Sequence, residues 1–316
     1  MRRSFGTPSA AFGALFALIL AACGAAHVAP TTTAGPAATA PGTQAPVPTP
    51  AAVASVDPWP AIAQSYDVGG HTLYMICQGP GPVTVIYLHG MSPQDSGINH
   101  ASLIAANLRK DVRICRYDRA NVGESGTVEG MQTAANAVSD LHELLFMAGI
   151  TNRAHTNKVI LLGASFGGLI AYEYAVTHPE DVAGMVVLDP TLPREYLDID
   201  PFYHPDDGPL TGEEWKDHGN IEHMDWLRSM QETSILEGTE PKIPGTYFEL
   251  VHPQTWWHPV TEQSLDAYRT MQQRFIDLWS PGLKVVVDTP HFMEPVIPDE
   301  IADAVRDVIV AAGVGG

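Results

Sequence analysis

The stretch LLGASFGG (Leu161–Gly168) sets a short apolar run against three glycines and a single serine. It matches G-x-S-x-G. Before it, VILLG (Val159–Gly163) reads as a strand; after it, Phe166–His178 reads as a helix. Strand, turn and helix in that order are what a nucleophile elbow requires. Gly163 and Gly167 let the helix crowd the strand, and the turn lifts the Ser165 hydroxyl above the sheet. A glycine-rich bend with a capping serine is the plainer reading, and these eight residues alone leave both open. Phosphate cradling does not fit, because no lysine follows the glycines and there is no G-x-G-x-x-G.

The surroundings decide between them. Apolar, β-branched runs recur at His71–Cys77, Val83–Leu88, Val112–Tyr117, Gly184–Asp189, Thr246–Leu250 and Leu283–Val287, with a further strand expected before the turn Gly69-Gly70. Helical patterns separate them at Asn99–Arg109, Met131–Met147, Thr261–Trp279 and Pro298–Ala312. The last carries Ile301, Val305, Val308 and Ile309 on one face. This alternation predicts a largely parallel sheet covered on both sides. About fifty residues after Asp189 show no strand pattern. Within them Asn220–Leu236 predicts a helix with Ile221, Met224, Leu227 and Met230 on one side, and the whole insertion, about 191–241, reads as a cap.

Two further segments suit a serine nucleophile. LHGMS follows Val83–Leu88 directly, where a loop aims a backbone N–H at a developing oxyanion. The candidate donors are the N–H groups of Met91 and Phe166, with His89 shaping the loop by hydrogen bonding. PHFMEP places His291 just after the last predicted strand, where a base for Ser165 belongs. The other histidines give no convincing metal set: His218 and His223 are five apart, and His252 and His258 sit in a Pro/Trp-rich loop. Neither a metal nor an organic cofactor is expected.

The ends of the chain have another character. Arg2 and Arg3 precede an apolar run, Ala10–Ala22, too short to span a bilayer, so residues 1–22 read as a signal peptide. Gly24–Asp57 holds 11 Ala, 6 Pro and 6 Thr in 34 residues, a composition that buries too little apolar surface to fold, so it reads as a tether. The chain beyond residue 22 keeps 15 basic against 36 acidic residues, which argues against nucleic acid and against a polybasic membrane face.

Taken together, LHGM, YDRANVGES, GASFGG and PHFMEPVIPDEI, in this order and spacing, resemble the α/β-hydrolase superfamily, in the branch carrying Y-D-R-x-G-x-G-x-S. Asn121 stands where that branch usually has glycine; asparagine tolerates the left-handed conformation. The resemblance, over about residues 65–312 of a domain taken as 58–316, implies an eight-stranded, mostly parallel sheet with a cap after strand six and a Ser-acid-His triad. It also implies that Cys77 and Cys115 lie on adjacent strands, within reach of a disulfide. The acid is harder to place. The family's usual position after strand seven offers no Asp or Glu in the loop; Glu249 lies within the strand and Glu262 opens the next helix. The alternative position, the end of strand six, offers Asp189. The sequence LAAC (Leu20–Cys23) resembles a lipobox, which implies lipidation of Cys23 and an exported protein on the outer face of the cytoplasmic membrane; the other reading is a secreted protein.

These readings converge on a serine hydrolase of small-molecule esters built on Ser165, His291 and Asp189. The same triad also serves amide cleavage, as in aminopeptidase-like relatives, or cofactor-free peroxidation, and a non-catalytic binding protein on this scaffold is the alternative outside enzymes. Phe202, Tyr203, Trp215, Trp226, Trp256 and Trp257 either line an acyl pocket or form the cap's own core.

Overall fold

Eight strands take up the apolar runs: β1 Ile62–Asp67, β2 Thr72–Gln78, β3 Thr84–Leu88, β4 Arg113–Tyr117, β5 Val159–Ala164, β6 Val182–Leu188, β7 Gly245–Leu250 and β8 Gly282–Val287. The computed structural model describes residues 61–91, 97–198, 220–251 and 261–315, all within one compact unit, Ser55–Gly316. Cys23, Phe202, Tyr203, Trp215, His218, His252, Trp256, Trp257 and His258 lie outside the described residues.

The strands form one sheet in the order β1-β2-β4-β3-β5-β6-β7-β8. β1 and β2 form the hairpin expected at Gly69-Gly70, and β2 joins β4 antiparallel; every pairing from β4 through β8 is parallel. Parallel strands need crossovers, supplied by α1 (Ser102–Leu108), α2 (Ala134–Met147), α3 (Phe166–Thr177) and α6 (Glu262–Ile276), with α4 (Glu195–Asp198) and α5 (Trp226–Ser234) between β6 and β7 and α7 (Pro298–Ala311) following β8. The helices cover both faces, so β3 to β7 are buried throughout. Val159, Ile160, Leu161 and Leu162 of β5 are fully sequestered, each contributing about 1.5–3 kcal/mol of transfer free energy. α3 lies across the centre, with ten of its twelve residues buried. α7 buries the predicted face, Ile301, Val305, Val308 and Ile309.

Two elements differ from the expectation. β8 ends the sheet and is not buried on both faces; Leu283 and Val286 stand about half exposed, since an edge strand has a neighbour on one side only. The helix expected from Asn220 begins only at Trp226, where the Asp225 side chain accepts from the Arg228 N–H as its cap. Residues 223–225 instead pair with the chain at Gln132: Gln132 N–H donates to His223 O, and Asp225 N–H to Gln132 O.

Cys77 and Cys115 face each other in the β2–β4 register and are joined by a disulfide. The bridge closes a loop with a sequence separation of 38, for which chain entropy gives about 3–4 kcal/mol of stabilisation. The double variant Cys77→Ala/Cys115→Ala is expected to lose about that much unfolding free energy in urea titrations. A loss below about 1 kcal/mol would show that the bridge constrains little.

Candidate active site

Parallel β-strands deliver their following loops to one edge of the sheet, and the candidate residues gather there. Ser165 follows β5, Met91 is the third residue after β3, Asp189 follows β6, and His291 lies in the β8–α7 connection. Ser165 has φ 49° and ψ −123°, a conformation disfavoured for a residue with a Cβ and held here by its surroundings. Its N–H donates to Leu188 O at 2.9 Å, while its own carbonyl accepts from Gly168 N–H at 2.8 Å and Thr191 N–H at 3.0 Å. The predicted glycines make the turn possible. A Cβ on Gly167 would come within 2.1 Å of Leu88 O, and one on Gly163 within 2.6 Å of Gly167 O.

Asp189 sits in the neighbouring turn with φ 38°, a second non-glycine residue in the left-handed region, and is buried. Its Oδ2 lies 2.7 Å from His291 Nδ1. Its Oδ1 accepts from the Tyr268 hydroxyl at 3.2 Å. The structure thus brings His291 and Asp189 together. Glu249 is buried in β7 and pairs with Lys284 Nζ at 3.0 Å; Glu262 is exposed in the first turn of α6.

Phe166 is the first residue of α3, where backbone N–H groups have no partner within the helix. The loop carrying Met91 presses against the serine turn: a Cβ on Gly90 would lie 3.1 Å from Ser165 Cβ. His89 is fully buried, and burial first, then the charge of Arg119, holds its pKa well below 6.5. The neutral ring places Nδ1 2.6 Å from Gly90 O and leaves Nε2 facing the Arg119 N–H at 3.4 Å. This is the loop-shaping position expected of it.

The charges around His291 set its titration. Burial depresses its pKa, but the Asp189 hydrogen bond and charge, aided by Glu294 and Glu195, raise it above 6.5 overall. Glu195, buried at the start of α4, accepts from the Leu192 N–H at 3.2 Å. Burial pushes its pKa up to about 7, the Leu192 N–H opposes this, and the Asp189 charge adds to it. Both groups bind protons more tightly folded than unfolded, so their contributions to stability are fully present at low pH. The Glu195 contribution is lost between about pH 4.5 and 7, and that of His291 as pH rises through its folded value above 6.5. In urea unfolding from pH 5 to 8, Glu195→Gln is therefore expected to lose the part of the pH dependence in which stability falls as pH rises towards 7; an unchanged slope in that variant refutes the assignment.

Tyr268 and Glu195 carry no motif in the sequence. The first reads as one polar residue on an amphipathic helix, the second as one acid among many. The YDRANVGES stretch is the opposite case: Asp118 Oδ1 and Oδ2 accept from the Ile98 and Glu124 N–H groups, the Ser125 hydroxyl donates to Asp118 O, and Asn121 adopts φ 69°, the left-handed conformation anticipated for it.

Comparison with known proteins agrees with this architecture. Residues 82–204 match the family model Hydrolase_4, described as serine aminopeptidase, S33. An uncharacterised protein of Bacillus subtilis (strain 168), YqjL, is 27% identical over 132 residues, 41% of this chain; the chain spans about half, 48%, of that relative's length. Among solved structures, the enol-lactonase of Burkholderia xenovorans LB400 superposes with TM-score 0.53 at 15% identity, covering 78% of this chain and 100% of the other. The epoxide hydrolase VrEH1 of Vigna radiata gives 0.57 at 15% identity over 79% and 98%, and the haloalkane dehalogenase DbeA of Bradyrhizobium elkani USDA94 gives 0.56 at 14% over 81% and 100%. The sheet order, the serine turn and these superpositions together show that the chain has the α/β-hydrolase fold, with the serine-bearing segment inside the part that matches the Hydrolase_4 model.

Proposed function

We propose that the protein is a serine hydrolase of carboxylic esters. The observation that carries this reading is the pair of strained turns at the ends of adjacent strands. One presents Ser165, and the other presents Asp189 hydrogen-bonded to His291. Strain of this kind persists only where the surrounding structure enforces it, and it clusters at reactive sites.

In the proposed cycle, His291 Nε2 takes the Ser165 proton as Oγ attacks the ester carbonyl. Asp189 holds the Nδ1–H tautomer and stabilises the imidazolium, and the Met91 and Phe166 N–H groups receive the oxyanion. Collapse expels the alcohol, which takes the proton from His291; water then repeats the sequence on the acyl-enzyme. The Phe292 ring, 53% exposed, meets His291 edge-on with centroids 5.3 Å apart, and Val296, further along the same connection, is also exposed. An apolar rim against the histidine favours an uncharged acyl or alkyl group over the α-ammonium of a peptide. Cys23 is proposed to anchor the protein through a lipid, and residues 191–241 to cap the site.

The match to a serine aminopeptidase family over residues 82–204 favours amide cleavage as the second reading. A panel of short p-nitrophenyl esters against aminoacyl anilides, run beside fluorophosphonate labelling, tests both. Labelling with ester turnover supports the first reading, anilide turnover alone supports the second, and an unlabelled protein without turnover removes both.

A further inference from the structure

Arg119 belongs to the YDRANVGES stretch and takes no part in the cycle above, yet it is the best-connected charge near the serine turn. Its side chain is 2% exposed, and four of its five N–H donors have partners. Nε donates to Glu222 Oε2 at 2.6 Å and Nη2 to Glu222 Oε1 at 2.9 Å, a two-pronged grip on a fully buried carboxylate. The remaining donors go to backbone: Nη1 to His89 O at 2.6 Å and Nη2 to Gly90 O at 2.8 Å.

Gly90 C=O and Met91 N–H are two ends of one peptide unit. In a planar trans peptide they point in opposite directions, so a donor that fixes the oxygen also aims the N–H. Gly90 O is fixed twice, by Arg119 and by His89 Nδ1. A cationic donor on the oxygen also polarises the peptide and strengthens its N–H as a donor. On its other side the guanidinium lies 5.9 Å from the centroid of the Phe166 ring, which stacks against Trp226 at 6.5 Å. Arg119 therefore touches the segments carrying both expected oxyanion donors.

Glu222 comes from the insertion between β6 and β7. It is held by its own N–H to Asn220 Oδ1 at 2.7 Å and by the flanking backbone bonds to Gln132. We infer that Arg119 is a positioning residue for the Met91 N–H, and that Glu222 sets it, so that the insertion and the oxyanion site are coupled through one ion pair. This rests on the serine hydrolase reading.

Removing one partner strands a buried charge, whereas replacing both with apolar residues of similar size is often neutral for folding. The decisive variant is therefore Arg119→Met/Glu222→Met, with Glu222→Gln as the isosteric companion. With p-nitrophenyl butyrate as substrate, the double variant is expected to fold with a melting temperature lowered by several degrees, because the His89 and Gly90 carbonyls lose their Arg119 donors. Its kcat should fall roughly 10- to 100-fold while KM stays within about twofold, because an oxyanion donor acts on the transition state. Glu222→Gln should give a smaller drop of the same kind. A folded double variant with wild-type kcat, or a loss confined to KM, overturns the assignment. If neither variant folds, the pair is structural and the assignment falls. Wild-type protein that neither turns over ester nor reacts with a fluorophosphonate instead refutes the underlying hydrolase reading, and the assignment with it.

Discussion

Ser165→Ala is expected to lower ester turnover by roughly 10⁵- to 10⁶-fold, the scale on which removal of a nucleophile collapses a triad. It should also abolish fluorophosphonate labelling. Alanine retains the Cβ and the backbone bonds that hold φ at 49°, to Leu188 O and from Gly168 and Thr191, so the turn stays as it is. Circular dichroism and the melting temperature should match the wild type, which makes the kinetic loss chemical rather than structural. The residual rate above water reports what the oxyanion donors and binding contribute alone. Retained labelling in this variant would place the nucleophile elsewhere and sink the proposed mechanism.

Asp189→Asn should reduce kcat by about 10⁴-fold with little change in KM. The Asp189 carboxylate accepts at 2.7 Å from His291 Nδ1, which leaves Nε2 as the base toward Ser165. An asparagine amide can turn its NH₂ to the ring, favour the proton on Nε2 and silence the base. Loss of the negative charge also removes the main influence raising the His291 pKa, so the ascending limb of any residual pH–rate profile should move to lower pH. Glu249→Gln and Glu262→Gln serve as controls with turnover near the wild type, since one carboxylate faces Lys284 and the other lies exposed on α6. Near-normal turnover in Asp189→Asn, together with loss in either control, would transfer the role of the acid.

The strand positions were legible because β3, β5 and β6 are buried throughout and run almost unbroken in apolar residues, whereas at β8 an apolar run does not say whether a neighbour lies on each side. Before Trp226 the helical periodicity misleads because Met224 is buried not on a helix face but in a pairing with Gln132, 92 positions away.

By itself the sequence determined the alternation of strands and helices, the glycines without which β5 and α3 cannot approach, and the serine and histidine that such an architecture brings to one edge. These are local properties, written in spacing and residue size. Tertiary structure alone decided which carboxylate meets His291, that Tyr268 and Glu195 stand near it, and that Glu222 grips Arg119 across 103 positions of chain. A carboxylate carries no mark of its partner. Hydrogen-bonding distance and the loss of solvent give it one, and both exist only after the strands have been laid side by side.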